Sequence, residues 1–233
     1  MSKVVPLQPE INPPSMGPRK VSAKQPAIST IDKAKLGEKA LGLQGTLPCH
    51  EFLNSLISLK LRTDAIKFIA AWLPPRDRLW YGCLGVWQIA RLQPQTAVRE
   101  QIDKVVAYIT CPSTQAWAEF GSFAAASKDS SPLGLLLQAA ILTGDNICPF
   151  PRKNIKPSPS FQAKTVANAL VTAASKWPGK ERETCLDLCI NIGLDIAEGK
   201  HLWAPNPDQN YPGLRQATIT GQMFGKTRNI WED

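Results

Sequence analysis

The feature that most constrains the fold of this chain is the stretch of residues 64–91, DAIKFIAAWLPPRDRLWYGCLGVWQIAR. Apolar side chains recur at helical spacing before Pro74 and again after Pro75. Because proline is tolerated in the first turn of a helix but not in its interior, the two prolines end one helix and begin another. Three of the chain's seven tryptophans lie here, so the stretch predicts two antiparallel helices with matched aromatic faces as the core of an α-helical domain.

Helical periodicity continues over most of the chain up to residue 200, and no run of residues alternates convincingly enough to predict a strand. The helix that follows Pro48 is expected to have an inner face of Phe52, Leu53, Leu56, Ile57 and Leu59. Further helices are expected after Pro94, around Trp117, from Pro132, from about Ser160 to Lys176, and from Glu181 to Glu198. The sequence therefore predicts an all-α fold, either one helical bundle or a stack of helical hairpins.

Two segments without helical periodicity flank the predicted helical domain at residues 31–203. Residues 1–30 are basic and rich in proline, which predicts an extended or disordered tail. Glycine and proline also interrupt residues 204–233, but large apolar side chains, which disordered tails usually avoid, predict that this tail wraps over the domain or docks on another protein. The residues expected to bind such a partner are Arg19, Lys20, Trp203, Met223, Phe224, Ile230 and Trp231.

Residue types that carry most enzyme chemistry are few and dispersed. The two histidines, His50 and His201, are expected to be surface or capping residues, and no glycine-rich phosphate loop occurs. A Cys–His couple of Cys49 or Cys185 with His201, or a soft-metal site at Cys185 and Cys189 with a histidine, is the alternative. Apolar neighbours favour plain core packing of these cysteines. The sequence therefore predicts no catalytic, cofactor-binding or metal-binding residue.

Most acidic residues alternate with lysine or arginine, which is typical of solvated helix faces. Asp77, between Arg76 and Arg78, is expected to belong to the charged first turn of its helix. The net charge of +8 permits contact with nucleic acid, but no sequence motif that reads DNA or RNA is present. Charge alone therefore does not assign a partner.

The cysteine pattern and hydropathy predict a cytoplasmic protein without membrane insertion. Six scattered cysteines without a CxxC pair, and an N-terminus without a signal peptide, favour a reducing compartment. The longest uncharged apolar run, residues 133–142, is ten residues long, whereas a membrane span needs about 20.

Several segments resemble a bacterial protein family without assigned function. DAIKFIAAWLPPRDRLWYGCLGVWQIA is similar to that family's alanine-rich helix, Leu-Pro-x-Arg corner and tryptophan-rich helix. TGDN stands where the family has a Ser-Gly-Gly-Ser-like turn, AKTVANALVTAASK resembles its Ala/Val-rich helix, and GLDIAEGKHLW resembles its closing Gly-Leu-x-Ile/Val-Ala-x-Gly motif. The resemblance covers roughly residues 50–203 and departs from the family in the proline crossing PFPRKNIKPSP.

Members of that family are often encoded beside type VI secretion genes, so the resemblance implies an accessory or adaptor role and transfers no catalytic residue. Together with the tails, it predicts a non-enzymatic protein that loads or holds an effector or spike-tip component. The alternative is a nucleic-acid-associated protein that uses the basic N-terminal tail, with Arg19, Lys20 and Lys24. A third hypothesis is an enzyme built on Cys185 and His201.

Overall fold

A computed structural model of the chain describes residues 21–22, 24–43, 46–90, 96–110, 130–143 and 157–199. Within these ranges it contains nine helices: α1 Ile28–Ala34, α2 Glu38–Leu41, α3 Cys49–Ser58, α4 Arg62–Trp72, α5 Pro75–Ala90, α6 Thr96–Thr110, α7 Pro132–Ile141, α8 Pro159–Ala174 and α9 Gly179–Ala197. The β-type pairing in the same ranges is a single bridge between Pro26 and Pro48. The all-α prediction is confirmed. None of the described helices has the length and hydropathy needed to cross a membrane.

The predicted helix ends are reproduced where proline or glycine sets them. Pro75 and Pro132 occupy the first positions of α5 and α7. Ser131 caps α7, because its hydroxyl oxygen accepts a hydrogen bond from the N–H of Gly134 at 3.1 Å. Gly199, with φ of 83°, follows α9 in the left-handed conformation that closes many helices.

Helices α4 and α8 form the centre of the fold. Helix α8 packs against α4, α5 and α7, and α4 packs against α8, α9, α1 and α3. The two helical hairpins that turn at tryptophan and proline, α4–α5 and α8–α9, pack on each other reciprocally. Helix α4 packs on α9, and helix α8 packs on α5. The sequence around both α4 and α8 is rich in alanine and ends in tryptophan and proline.

The predicted packing of α4 directly on α5 is wrong. The two helices contact each other far less than each of them contacts α8. Leu73, the residue before Pro74, is extended with ψ of 144°, as expected for a residue that precedes proline. Helices α4 and α5 therefore each pack mainly on α8 rather than on each other.

Most residues expected on the inner faces are buried, and the exception has a local cause. Ile66 and Ile69 of α4, Leu170 of α8 and Cys189 of α9 are inaccessible to solvent. Leu59, expected to face inward, is 56% exposed. Helix α3 ends at Ser58 and Lys60 adopts a φ of 57°, so Leu59 no longer follows the helical periodicity.

The described chain packs on the helical body from Val21 onward, ahead of the predicted domain start at residue 31. Ala27 is fully buried, and its N–H donates to the carbonyl of Leu47 at 2.9 Å. Helix α1 then begins at Ile28 and packs on α4 and α8. This part of the chain is a layer of the domain rather than an appendage.

Candidate functional site

The corner between α4 and α5 carries three consecutive charged residues, Arg76, Asp77 and Arg78, in the first turn of α5. The prediction that Asp77 belongs to the charged first turn of its helix is confirmed. The solvated face predicted from its alternation with arginine is wrong, because Asp77 is 4% exposed, and Arg78 beside it is 3% exposed. Burying charged groups is unfavourable unless hydrogen bonds replace their hydration. The site is therefore defined by what these groups contact.

The Arg78 guanidinium closes the C-terminal end of α4. Its Nη2 donates to the carbonyl of Leu73 at 2.9 Å and to that of Ala71 at 3.5 Å, and its Nε donates to the carbonyl of Ala70. The last carbonyls of a helix have no partners within the helix, and a cation there is favoured by the helix dipole. Arg78 thus supplies both donors and positive charge at the end of α4.

The other side of the guanidinium reaches α8. Nη1 donates to Oε1 of Gln162 at 2.8 Å and to the carbonyl of Pro159 at 3.2 Å. The Gln162 side-chain amide, itself 2% exposed, donates onward to the carbonyls of Pro75 at 3.3 Å and Ala139 at 3.4 Å. Two polar side chains therefore join α4, α5, α7 and α8, a set that we call the Arg78–Gln162 network.

The electrostatics of Arg78 match a structural role. All five N–H groups of an arginine have acceptors here, and within the described part of the chain these are carbonyl or amide oxygens rather than carboxylates. Burial lowers the pKa of Arg78 well below its usual range, to about 10, so the side chain still carries its charge at neutral pH. With every donor engaged, the guanidinium has no N–H left to bind an anionic ligand.

Two other helix ends are closed by donors from distant segments. Arg76 donates to the carbonyl of Ile109 in the last turn of α6. The N–H of Val21 donates to the carbonyl of Ala197 in the last turn of α9 at 3.3 Å. In α4, α6 and α9 alike, carbonyls near a helix end are satisfied by another part of the chain.

A second polar cluster joins the start of α4 to α9. Arg62 donates to both carboxylate oxygens of Asp187, at 2.7 and 3.1 Å, and lies 3.4 Å from Glu183. The hydrogen bond to Asp187 is the main reason that the pKa of Arg62 is raised. Asp64 accepts from the backbone of Gly37 at 3.1 Å and so ties the chain before α2 to α4. These contacts are partly exposed and hold helices together.

The described cysteines are core residues. Cys49, Cys83, Cys185 and Cys189 are free thiols with no exposed surface, and burial raises the pKa of each. A protonated, enclosed thiol is neither a nucleophile nor a metal ligand. The described residues contain no group of three His, Cys, Asp or Glu arranged for a metal. His201, needed for both cysteine–histidine hypotheses, lies outside the described residues.

The partner-binding residues predicted from the sequence also lie outside the described residues, as do the helix around Trp117 and residues 149–156 of the proline crossing. These seven residues are Arg19, Lys20, Trp203, Met223, Phe224, Ile230 and Trp231. On the described surface, four large apolar side chains are more than half exposed: Ile28, Leu41, Leu59 and Phe161. Sequence reasoning missed the Arg78–Gln162 network, and its one signal was a charged triplet between two strongly apolar helices.

Comparison with known proteins gives a family. No curated protein and no solved structure matches the chain. A model described as "Family of unknown function (DUF6931)" matches residues 52–197. This match contains the Arg78–Gln162 network and the reciprocal helix pairs, ends at Ala197, and leaves out the N-terminal layer with α1 and α2. The chain therefore belongs to the DUF6931 family.

Proposed function

We propose that this protein acts without catalysis, as a cytoplasmic accessory or adaptor that binds another protein through its terminal segments. The partner in this proposal is an effector or spike-tip component of a bacterial type VI secretion (contractile injection) apparatus. The secretion context rests on the sequence resemblance to a family often encoded beside such genes.

The adaptor proposal rests on the observation that the buried arginine and the described thiols of the helical body are engaged within the fold. The buried arginine donates all its N–H groups within the fold, and the described thiols are protonated and enclosed. The side chains suited to anchor a partner, such as Phe224 and Trp231, lie instead in a segment interrupted by glycine and proline. A helical body with these side chains engaged internally, joined to a segment with apolar anchors, favours a scaffold that presents docking segments.

The experiment is a pull-down with the purified full-length chain against each product of the neighbouring genes. We expect one of these products to be retained, and Trp231→Asp to abolish its retention. Phe161→Asp is the matched control, because Phe161 is a large apolar residue that is 57% exposed on the body. Retention of no product, or loss of retention with Phe161→Asp alone, would refute docking through the terminal segments.

A second candidate is a nucleic-acid-associated role for the N-terminal segment. Residues 1–40 contain seven Lys/Arg against three Asp/Glu, a local excess of positive charge. We expect such binding to weaken steeply as salt rises, because phosphate contacts release counterions. Absence of DNA and RNA binding at about 50 mM salt would remove this candidate.

A further inference from the structure

One end of the described body brings several helix ends together. The N–H of Gly37, between α1 and α2, donates to Asp64 in the first turn of α4 at 3.1 Å. Arg62, the first residue of α4, lies 3.4 Å from Glu183 near the start of α9. Short turns join α3 to α4 and α8 to α9. The ends of α1, α3 and α8 therefore lie beside the starts of α2, α4 and α9.

This end of the body carries an excess of positive charge. Two exposed acidic residues, Glu38 and Glu181, lie there, and the nearby Glu183 is paired with Arg62. The exposed cations are more numerous, and none of them forms an ion pair within the described part of the chain. We call this set the basic end: Lys35, Lys39, Lys60, Lys176, Lys180 and Arg182.

Helix dipoles account for only some of these charges. Lys35, Lys60 and Lys176 follow the C-terminal ends of α1, α3 and α8, where a cation is favoured. Lys180 and Arg182 lie in the first turn of α9, where the same dipole disfavours positive charge. Within the described fold these two cations are unfavourably placed, as expected for groups that a partner neutralises.

Two of the lysines also have an unfavourable backbone conformation. Lys35 and Lys60 have φ of 52° and 57°, in the left-handed region that glycine usually occupies after a helix. Within the described ranges they are the only residues other than glycine with positive φ. Strained residues of this kind are concentrated at functional sites. The basic end therefore retains lysine where glycine would suit the fold better.

Two leucines add apolar anchors to the basic end. Leu41 in α2 is 55% exposed, and Leu59, next to Lys60, is 56% exposed. Protein–protein interfaces combine an apolar centre with a polar rim. Surfaces that bind single-stranded nucleic acid instead present aromatic side chains on which bases stack. The combination of leucine and lysine favours a protein partner.

We propose that the basic end binds an acidic segment of another protein, whose apolar side chains pack on Leu41 and Leu59. Complementary charge steers such a segment to the surface and fixes its register. This surface belongs to the described body and is separate from the terminal segments of the proposed function, so it provides for a second partner.

The test uses the full-length chain and a fluorescently labelled synthetic peptide, rich in glutamate and with leucines at helical spacing. Fluorescence anisotropy gives the Kd. Arg182→Glu should weaken the Kd by about fivefold or more, because one attraction becomes a repulsion. Lys164→Glu is the matched control, since Lys164 is exposed near the other end of α8, and it should weaken the Kd by less than about twofold.

Lys60→Gly separates binding from folding. Glycine relieves the left-handed strain, so the urea midpoint should rise while the Kd weakens by about threefold or more. Leu59→Ser should also weaken the Kd. Phe161→Ser should not, because Phe161 is equally exposed but lies at the start of α8, away from the basic end.

Three outcomes would overturn the proposal. The first is failure of the peptide to bind the wild-type chain, and the second is equal loss of affinity in Arg182→Glu and Lys164→Glu. The third is tighter binding of single-stranded DNA than of the peptide, with Arg182→Glu as the sensitive variant, because the basic end would then be a nucleic-acid surface. All three leave docking through the terminal segments untouched.

Discussion

At the scale of single residues, Arg78 shows how a charged side chain can serve a helical core. Its guanidinium lies between the last carbonyls of α4 and the start of α8, and Gln162 extends its contacts to α7. The acceptors are neutral dipoles, and burial lowers the pKa of the group. Such a network is favourable only when every member is satisfied, because an unpaired polar group is costly in a low-dielectric interior.

Replacing Arg78 with methionine should destabilise the protein by about 3–5 kcal/mol, since it leaves several buried carbonyls and the Gln162 amide oxygen without donors. Arg78→Lys should recover only part of this loss, because an ammonium cannot reach all the acceptors at once. Arg182→Met, at an exposed position of α9, is the control and should change stability by less than about 0.5 kcal/mol. Urea unfolding measures all three; equal stability of the Arg78→Met and Arg182→Met proteins would contradict the structural role.

The buried thiols predict that stability falls at alkaline pH. Their pKa values are raised above the ordinary value of 9.0, so the native state keeps protons that the unfolded state releases. The stabilisation is complete below about pH 9 and is lost as pH rises further. Arg78 has the opposite sign, but its effect begins only above its pKa of about 10.

Thermal unfolding between pH 7 and pH 10 measures this effect. We expect the melting temperature to be flat to about pH 8.5 and then to fall, with each thiol contributing up to about 1.4 kcal/mol per pH unit. Cys189→Ala should reduce the slope. A melting temperature independent of pH up to 10 would show that the thiols ionise equally well in the folded protein.

At the scale of helices, the sequence predicts positions better than partners. Proline at the starts of α5 and α7 and glycine after α9 mark helix ends through local backbone chemistry, which a sequence displays directly. The partner of α4 depends on the direction in which the corner sends α5, and periodicity carries no information about that direction. The sequence did not indicate the burial of Asp77 and Arg78 either, because alternating charge normally indicates a solvated face.

Close helix contact at Gly193 gives a prediction at this scale. A Cβ atom there would lie 2.5 Å from Cγ2 of Ile69 and 3.0 Å from the ring of Tyr81, neither of which can yield easily in the core. Gly193→Ala should therefore destabilise the protein by about 1–3 kcal/mol, although alanine is the better helix former. The exposed Asn191→Ala in the same helix should instead be neutral or slightly stabilising. A stabilising Gly193→Ala in urea unfolding would show that α9 is more loosely packed.

At the scale of the whole molecule, the family domain is completed by an N-terminal layer that lies outside the family match. Val21 contacts α9, Ala27 contacts the chain before α3, and α1 packs on α4 and α8. Helical periodicity indicates this layer only weakly, because its helix is short and follows the proline-rich segment. Its apolar residues become recognisable as core residues only once the helices beneath them are placed.

Two isoleucines in α1 test whether this layer unfolds with the body. Ile31 is 9% exposed and Ile28 is 54% exposed, so Ile31→Ala should destabilise the protein by about 2–3 kcal/mol and Ile28→Ala by less than about 0.5 kcal/mol. Both variants should unfold in one urea transition. Equal effects of the two substitutions, or a separate early transition, would place α1 outside the cooperative unit.

In the proposed function, the helical body is a scaffold and the terminal segments make the contacts with the partner. Native-state hydrogen exchange of the full-length chain, with and without its captured partner, tests this proposal. We expect binding to slow exchange within residues 1–20 and 200–233 and to leave the amides of α4, α5, α8 and α9 unchanged. New protection confined to the body helices would contradict it, because the partner would then bind the scaffold itself.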